Sequence, residues 1–584
     1  MSKINPFFRL LSISMVVALL FSSLTIAPVF ASNSSDFVVK DQVLIKYTGS
    51  EAVVIIPDSL KLVEIGNAVF RFNKKITSVT IPAGVLAIGN DAFAYCDNLA
   101  TVNLPATLTD IGEEAFQGCV SLKAITLPAS LKYSGFSPFR DSGVMTPLII
   151  DGGKNLIYVP TTAISYTIPN TVTRISGRAF FNCTLLNYVS IPPSVTLIDQ
   201  DAFGYCLKLD AVILPNNITY FGRSPFRGTG ILNPILYDGG KKLLYLPENI
   251  TNYTIPATVT MINAGAAMQC SQIKTISFPV KVTSIGEYAF NYCTQLASIT
   301  FARQDVNVGE SAFTGTAVTN PIVLDSGTLL CYVPASTKKY VIPTSITKIN
   351  AGAFADCEFI TDIVIPKTVI YLGNMAFDGC LALKTLVASS KLVWIGSNPF
   401  SGYKTLVVYG EMGSEIQKSA KIYGLTFVEI PAIKATTSAG IIANSSCTSK
   451  NVTVIPYGYD YTLSATKNGA KITFPATKIF KDVGKYIVTI KTTTKTKTFT
   501  FIIDRTKPKI VVKNSKGVAI KLYASMTGTA TLKITDAYLK SKSITLNGKA
   551  ISWPSTYKVS KKGSYIVTAR DKALNTSIFS FKIK

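Results

Sequence analysis

Eight of the ten cysteines in this 584-residue chain keep time. Cys96, Cys183, Cys270 and Cys357 stand 87 residues apart, as do Cys119, Cys206, Cys293 and Cys380, while Cys331 and Cys447 fall outside both series. Regular cysteine can serve disulfides or a metal. Zinc calls for Cys-x-x-Cys pairs or histidine, and the chain has no such pair and no histidine at all. The missing histidine also removes the commonest general base and triad partner. Seven of the eight periodic cysteines instead stand three residues after a phenylalanine, as in "IGNDAFAYC" (88–96) and "IGEEAFQGC" (111–119), where a small apolar side chain suits an interior. Unbridged, unreactive thiols are the expectation, with links between neighbours such as Cys96 and Cys119 the alternative.

Carboxylates are the chemistry left. A glycan hydrolase needs two acids set apart once, in a cleft. Asp91, Glu113, Glu114, Asp199 and Asp201 instead occupy variable turn positions of a repeat, where solvated charge belongs. No nucleophile elbow, phosphate loop or metal-ligand cluster appears. No catalytic residue, cofactor or metal is therefore assigned, and the chain reads as a non-enzyme; a carboxylate-based envelope glycan enzyme is the alternative.

The elements behind this spacing are short coils. Phe70, Phe93, Phe116 and Phe139 are 23 residues apart, and Phe116, Phe203, Phe290 and Phe377 are 87 apart. Each 87-residue block holds three 23-residue units and an 18-residue extra, "DGGKNLIYVP" (151–160) and its counterparts at 238–247 and 325–334, a hairpin signal. In "LATVNLPATLTDIGEEAF", Val102 and Leu104 alternate with Thr101 and Asn103, which describes a strand with one buried face. Pro105 ends it for want of a donor. Leu108 and Ile111 point inward, Gly112 permits a bend, and "EEAFQGC" makes a short helical turn filling the core with Ala115 and Phe116. One unit cannot bury its own apolar side, so units must stack, each adding a strand about 4.8 Å along a parallel ladder. The expected fold is mostly β: a solenoid over 50–431 with a continuous aromatic spine, preceded by an N-terminal segment (32–49).

The phrase "IGxxAFxxCxxLxxIxIPxxVxx" resembles the BspA-like leucine-rich repeat of bacterial surface proteins, over roughly residues 50–430. "LVVYGEMGSEIQKSAKIYGLTFVEI" (406–430) is similar to that family's closing helix and strand. Ala267 and Met268 depart from the Ala-Phe pattern, so that coil should be repacked. The resemblance implies adhesion or protein binding and no catalytic residues.

Residues 1–31 read as a signal peptide. Lys3 and Arg9 precede an apolar run closing on Val29-Phe30-Ala31, with cleavage expected between Ala31 and Ser32. No later stretch is long and apolar enough to span a bilayer, so the mature chain should be extracellular and associated with the cell surface.

Past Pro431 the grammar changes to Thr, Val, Ile and Lys. "GKYIVTIKTTTKTKTFTFIID" (484–504) matches "GSYIVTARDKALNTSIFSFKI" (563–583) with Tyr486 and Tyr565 79 apart, predicting two β-sandwiches, 432–505 and 506–584. The second resembles bacterial immunoglobulin-like modules. Residues 434–584 carry 27 Lys and Arg against five Asp and no Glu, net +22, whereas 32–433 is close to neutral at about +1. Such a field attracts polyanions, here anionic envelope polymers such as teichoic acids; no nucleic-acid recognition motif accompanies it.

The candidate binding face of the solenoid is the outward row of its strands: Ser78, Thr80, Thr101, Asn103, Thr126, Tyr188, Ser190, Thr275, Ser277, Ser298 and Thr300. These side chains are small and mostly hydroxylic. They suit a flat protein or host-matrix ligand, or they are simply the wet side of a half-exposed sheet.

Overall fold

A computed structural model describes residues 32–584 except 401 and 404. The chain divides into two units, split between Ser326 and Gly327. In the first, a hairpin of Phe37–Lys40 and Val43–Tyr47 opens a stack of coils. The coils build two parallel ladders, to which most of them contribute one strand each. One runs Val53–Ile55, Ser78–Thr80, Thr101–Asn103. The other is built of two-residue strands, Glu64–Ile65, Ala87–Ile88, Asp110–Ile111, Tyr133–Ser134, whose second members Ile65, Ile88 and Ile111 are buried. Strand length here is set by how many residues a coil can spare before its next bend.

The turns between these strands depart from the helical form expected. Asp91, Glu114 and Tyr95 take positive φ (56°, 53° and 58°), which no α-helix allows. Alternate amides then point along the stack: Asp91 N–H donates to Glu113 O at 2.9 Å, Phe93 to Ala115 at 2.8 Å and Tyr95 to Gln117 at 2.6 Å. The turn is thus a third coil-to-coil ladder, and its hydrogen bonds offset the backbone strain. Gly112 is obligatory in this packing, because a Cβ there would lie 2.5 Å from the backbone of Gly89 and Asn90.

Phenylalanine rings stack at the repeat of the coils: Phe70–Phe93 at 4.9 Å, Phe93–Phe116 at 5.2 Å and Phe116–Phe139 at 5.3 Å, planes within 5°. The spacing exceeds the strand repeat only slightly, so one ring per coil fills the interior. The spine is segmented rather than continuous. Every 87 residues the antiparallel hairpin intervenes: Leu148–Ile150 pairs only with Asn155–Tyr158, and Tyr158 ends the first stack against Phe139 at 6.1 Å. A second apolar core then begins, with Tyr166 edge-on to Phe180 and Phe180–Phe203–Phe226 stacked at 4.8 and 5.5 Å. Asp151, Gly152 and Gly153 turn that hairpin with φ of 55°, 62° and 89°. At Ala267, where the phenylalanine is missing, the next ring of the series, Phe290, is met edge-on at 5.5 Å by the buried Phe278 of strand Thr275–Phe278.

In the second unit, strands Asp362–Val364, Thr385–Val387, Val407–Gly410 and Thr426–Glu429 form a parallel ladder. Phe354, Phe377 and Phe400 stack behind it, and Tyr423 covers the last ring edge-on. The helix Glu415–Ile422, the one α-helix among the described residues, buries Ile416 and Ala420 against this end. Beyond it lie two pairs of mostly antiparallel sheets, each pair closed on its own core, around Val454, Val488 and Phe501 in one and Leu532, Val567 and Phe581 in the other. They repeat in detail. The hydroxyls of Tyr486 and Tyr565 donate to Asp482 O and Lys561 O, and Asn468 and Asn547 accept from Lys485 N and Ser564 N, both at 2.8 Å. Tyr457 of the first pair stacks on Tyr409 of the ladder at 4.0 Å.

Because Phe203 is fully buried between two rings, Phe203→Ala should cost about 3–5 kcal/mol by denaturant unfolding of the first unit. The exposed Tyr188→Ala should stay within about 0.5 kcal/mol. Equal costs would contradict the stacked core.

Candidate functional site

The expected binding face exists in part. Ser78 and Thr80 stand in register with Thr101 and Asn103, and Thr275 and Ser277 with Ser298 and Thr300; Tyr188 and Ser190 pair with Ser165 and Thr167. Ser78, Thr80 and Ser190 are partly buried and the others are exposed. They bond among themselves: Asn103 Nδ2 donates to Thr80 Oγ1 at 3.0 Å and Thr300 Oγ1 to Ser277 Oγ at 2.8 Å. Thr126 is exposed but lies in an extended segment outside any strand, so the face is broken there. Clefts open where the ladders stop: one of about 590 Å³ beside Thr101, Asn103 and Thr126, another of about 480 Å³ beside Ser298 and Thr300. Of the cleavage pair, Ala31 lies outside the described residues; Ser32 is buried and bonded to Ile55 through both its amide and its hydroxyl.

The short-strand ladder carries what the sequence reading missed. Its outward row in the second block is Asn155, Arg174, Leu197 and Tyr220. Tyr133 ends the row of the block before, 65% exposed, and Tyr220 is 53% exposed. The hairpin breaks the ladder between Tyr133 and Asn155, and a cleft of about 340 Å³ opens at the break. A second, of about 300 Å³, adjoins it and shares Phe136, Arg174, Leu197 and Asp199. Arg174 Nε donates to Asp199 Oδ2 at 2.6 Å, and Ser176 Oγ to Asn155 Oδ1 at 2.6 Å. The signal available in the sequence was Tyr133 and Tyr220 at the 87-residue period.

Residues 63–161, 153–239, 240–330 and 328–447 match the BspA type leucine rich repeat region, well over half of the chain. The chain belongs to the BspA type leucine rich repeat family. No curated protein matches it. Among solved structures it is similar to a leucine-rich repeat protein from Bacteroides ovatus, 23% identical over 63% of this chain and 94% of that one, with a TM-score of 0.28. A leucine rich cell surface protein from Faecalibacterium prausnitzii is 23% identical over 68% and 98%, TM-score 0.27. The pneumococcal vaccine antigen PcpA is 15% identical over 68% and 96%, TM-score 0.24.

In this BspA type chain the acids are engaged structurally. Asp199 and Asp201 are buried where the acids at other turns are not, yet Arg174 holds the first, and Arg178 and Arg227 approach the second at 3.5 and 3.4 Å. Arg178 also reaches Glu114, itself bonded to Arg140 at 2.7 Å. A carboxylate clasped by guanidinium is suited to tying coils together, and a general acid needs the opposite environment. Among the described residues one group of three acids converges, Asp504, Asp536 and Asp571, with an oxygen of each within 4.8 Å of the others. Asn575 Nδ2 donates to Asp571 Oδ2 and to the carbonyls of Asp504 and Thr506, which knots the two sandwiches together.

The periodic cysteines are buried and unbridged. The thiols of Cys96, Cys119, Cys206 and Cys380 each donate to the carbonyl of the phenylalanine 26 residues earlier, at 3.0–3.2 Å. Burial pushes Cys96, Cys119, Cys183 and Cys293 up to about 12, and Cys447, outside the repeats, to about 11. A hydrogen bond with Cys380, then burial, raises Cys357. Two outcomes are expected. A thiol reagent at pH 8 should label Cys447 first and the periodic cysteines only on unfolding. Because the thiol is held protonated in the fold and ionises near 9 when unfolded, this contribution to stability is complete below pH 9 and lost as pH rises towards 12. Rapid native labelling of Cys96 or Cys183, or alkaline stability unchanged across that window, would contradict the assignment.

Proposed function

We propose that this protein is an exported, non-catalytic surface scaffold. Its repeats hold a protein or host-matrix ligand, and its basic tail associates with anionic polymers of the cell envelope. The observation that carries the reading is the segregation of charge, with net +22 beyond residue 433 and near neutrality before it. Those cations are free to act outward: among the described residues, only Lys467 and Lys495 of the tail's 27 form a salt bridge, with Asp482 and Glu429. A field of that size raises the local concentration of polyanions around the tail.

Family membership supports the surface location, since BspA type repeat proteins are typically cell-surface proteins whose repeats form a protein-binding scaffold. The positively charged, apolar segment 1–31 supports export. No helix among the described residues is long and apolar enough to cross a membrane. We read the two sandwiches as immunoglobulin-like spacers and the hydroxylic row from Ser78 to Thr300 as the adhesive face.

The protein should co-sediment with isolated cell envelopes at low salt and be released as salt approaches about 1 M, where screening leaves a Debye length of about 3 Å. Reversing four exposed tail charges, Lys540, Lys549, Lys561 and Lys562 to Glu, should weaken retention at every salt concentration. Salt-resistant retention, or retention unchanged by the reversals, would overturn the electrostatic reading.

A further inference from the structure

The paired clefts on the short-strand ladder have a lining that a flat protein face would not need. Three aromatic side chains stand exposed around one groove: Tyr133, Phe136 and Tyr220, of which Phe136 is 41% exposed. Phe136 is seated there by the backbone. Its ring lies where a Cβ on Gly177 would come within 2.3 Å, so glycine in the next coil makes room for it. Between the rings, the floor is polar and fixed. Asp199 is buried and holds Arg174, whose half-exposed guanidinium keeps further N–H groups for a ligand. Ser134 Oγ, in the same cleft, is buried from solvent and has no hydrogen-bond partner.

Charge decides the class of ligand. Besides the Arg174–Asp199 pair, the groove holds Lys132, Lys154 and Arg223 against Asp151 and Glu287, a near balance. A polyanion would want the excess of cations seen in the tail, and a basic peptide an excess of acids. Apolar ring faces beside fixed donors and acceptors, with little net charge, match a molecule whose faces are C–H and whose edges are hydroxyl. Arg174, Leu197 and Tyr220 sit on successive coils, about 4.8 Å apart, so the groove runs along the stack and suits an extended chain.

We propose that the groove between Tyr133 and Tyr220 is a binding site for an uncharged oligosaccharide, separate from the hydroxylic face and from the tail. The site has a physical origin in the repeat: the hairpin that interrupts the ladder leaves a gap, and the gap is where the rings collect.

The test uses the full chain on an array of immobilised neutral and anionic glycans, followed by calorimetry on the best-bound soluble neutral oligosaccharide. At least one neutral glycan should be retained in 0.5 M salt, which suppresses capture by the tail. Tyr133→Ala and Tyr220→Ala should each weaken its binding tenfold or more, while Tyr523→Ala, an exposed ring outside both proposed binding faces, should leave it unchanged. Both tyrosines are exposed, so unfolding is not expected, and thermal melting of each variant checks it. Retention of anionic glycans alone, retention of no glycan, or neutral-glycan binding indifferent to both substitutions would overturn the proposal. None of these results bears on envelope retention through the tail.

Discussion

Each coil of this protein is held by the coil beside it. A 23-residue unit has too little interior to bury its phenylalanine, and its turn residues adopt conformations that cost energy in isolation. Stacking resolves both. The ring of Phe93 lies between those of Phe70 and Phe116, and its amide bonds to Ala115 of the next coil, so a single contact surface supplies apolar burial and backbone satisfaction together. The small residues follow from the same constraint. Gly112 lets backbones approach, and a cysteine beside the ring fills the remaining space while its thiol adds a second hydrogen bond to the Phe93 carbonyl, which also accepts from the Cys96 amide.

A stack of this kind cannot continue without ends, and here the ends are internal. The 18-residue hairpin closes one aromatic stack and begins another, as Tyr158 and Tyr166 do on either side of residue 160. Ladder strands at such places lose a neighbour, and clefts open beside Asn103, Tyr133 and Thr300. The interior is therefore conservative and the interruptions are where surface chemistry can differ. Neutral repeats are followed by a strongly basic tail, so in the function we propose two kinds of recognition, one of shape and one of charge, fall on different parts of one chain.

Much of the fold was legible because the stack imposes its period on the sequence. Phenylalanine, cysteine and the Ile-Gly pair recur at 23 and 87 residues because each has one place in a coil. The turns were misread as helical because "EEAFQGC" is good helix sequence by composition, while the positive φ of Glu114 is imposed by hydrogen bonding to a neighbour. The missing phenylalanine at Ala267 was legible, but not the edge-on contact of Phe278 with Phe290, since Phe278 belongs to a different position of the repeat. The groove was missed for a similar reason. A two-residue strand such as Tyr133–Ser134 or Tyr220–Phe221 is too short to show alternation, so nothing marks its tyrosine as outward. The convergence of Asp504, Asp536 and Asp571 was equally silent, since no local spacing joins residues more than thirty positions apart.

The account turns on coupling between nearest coils, and native-state hydrogen exchange on the Phe116→Ala protein measures that coupling directly. The amides of Phe93 and Phe116, which donate to the next coil, should be among the slowest to exchange in the parent protein. The substitution should accelerate exchange in the coils bearing Phe93 and Phe139 and leave the stack around Phe180 and Phe203 at its parental rate. A uniform acceleration across residues 37–245 would mean a single cooperative core, and would contradict the account.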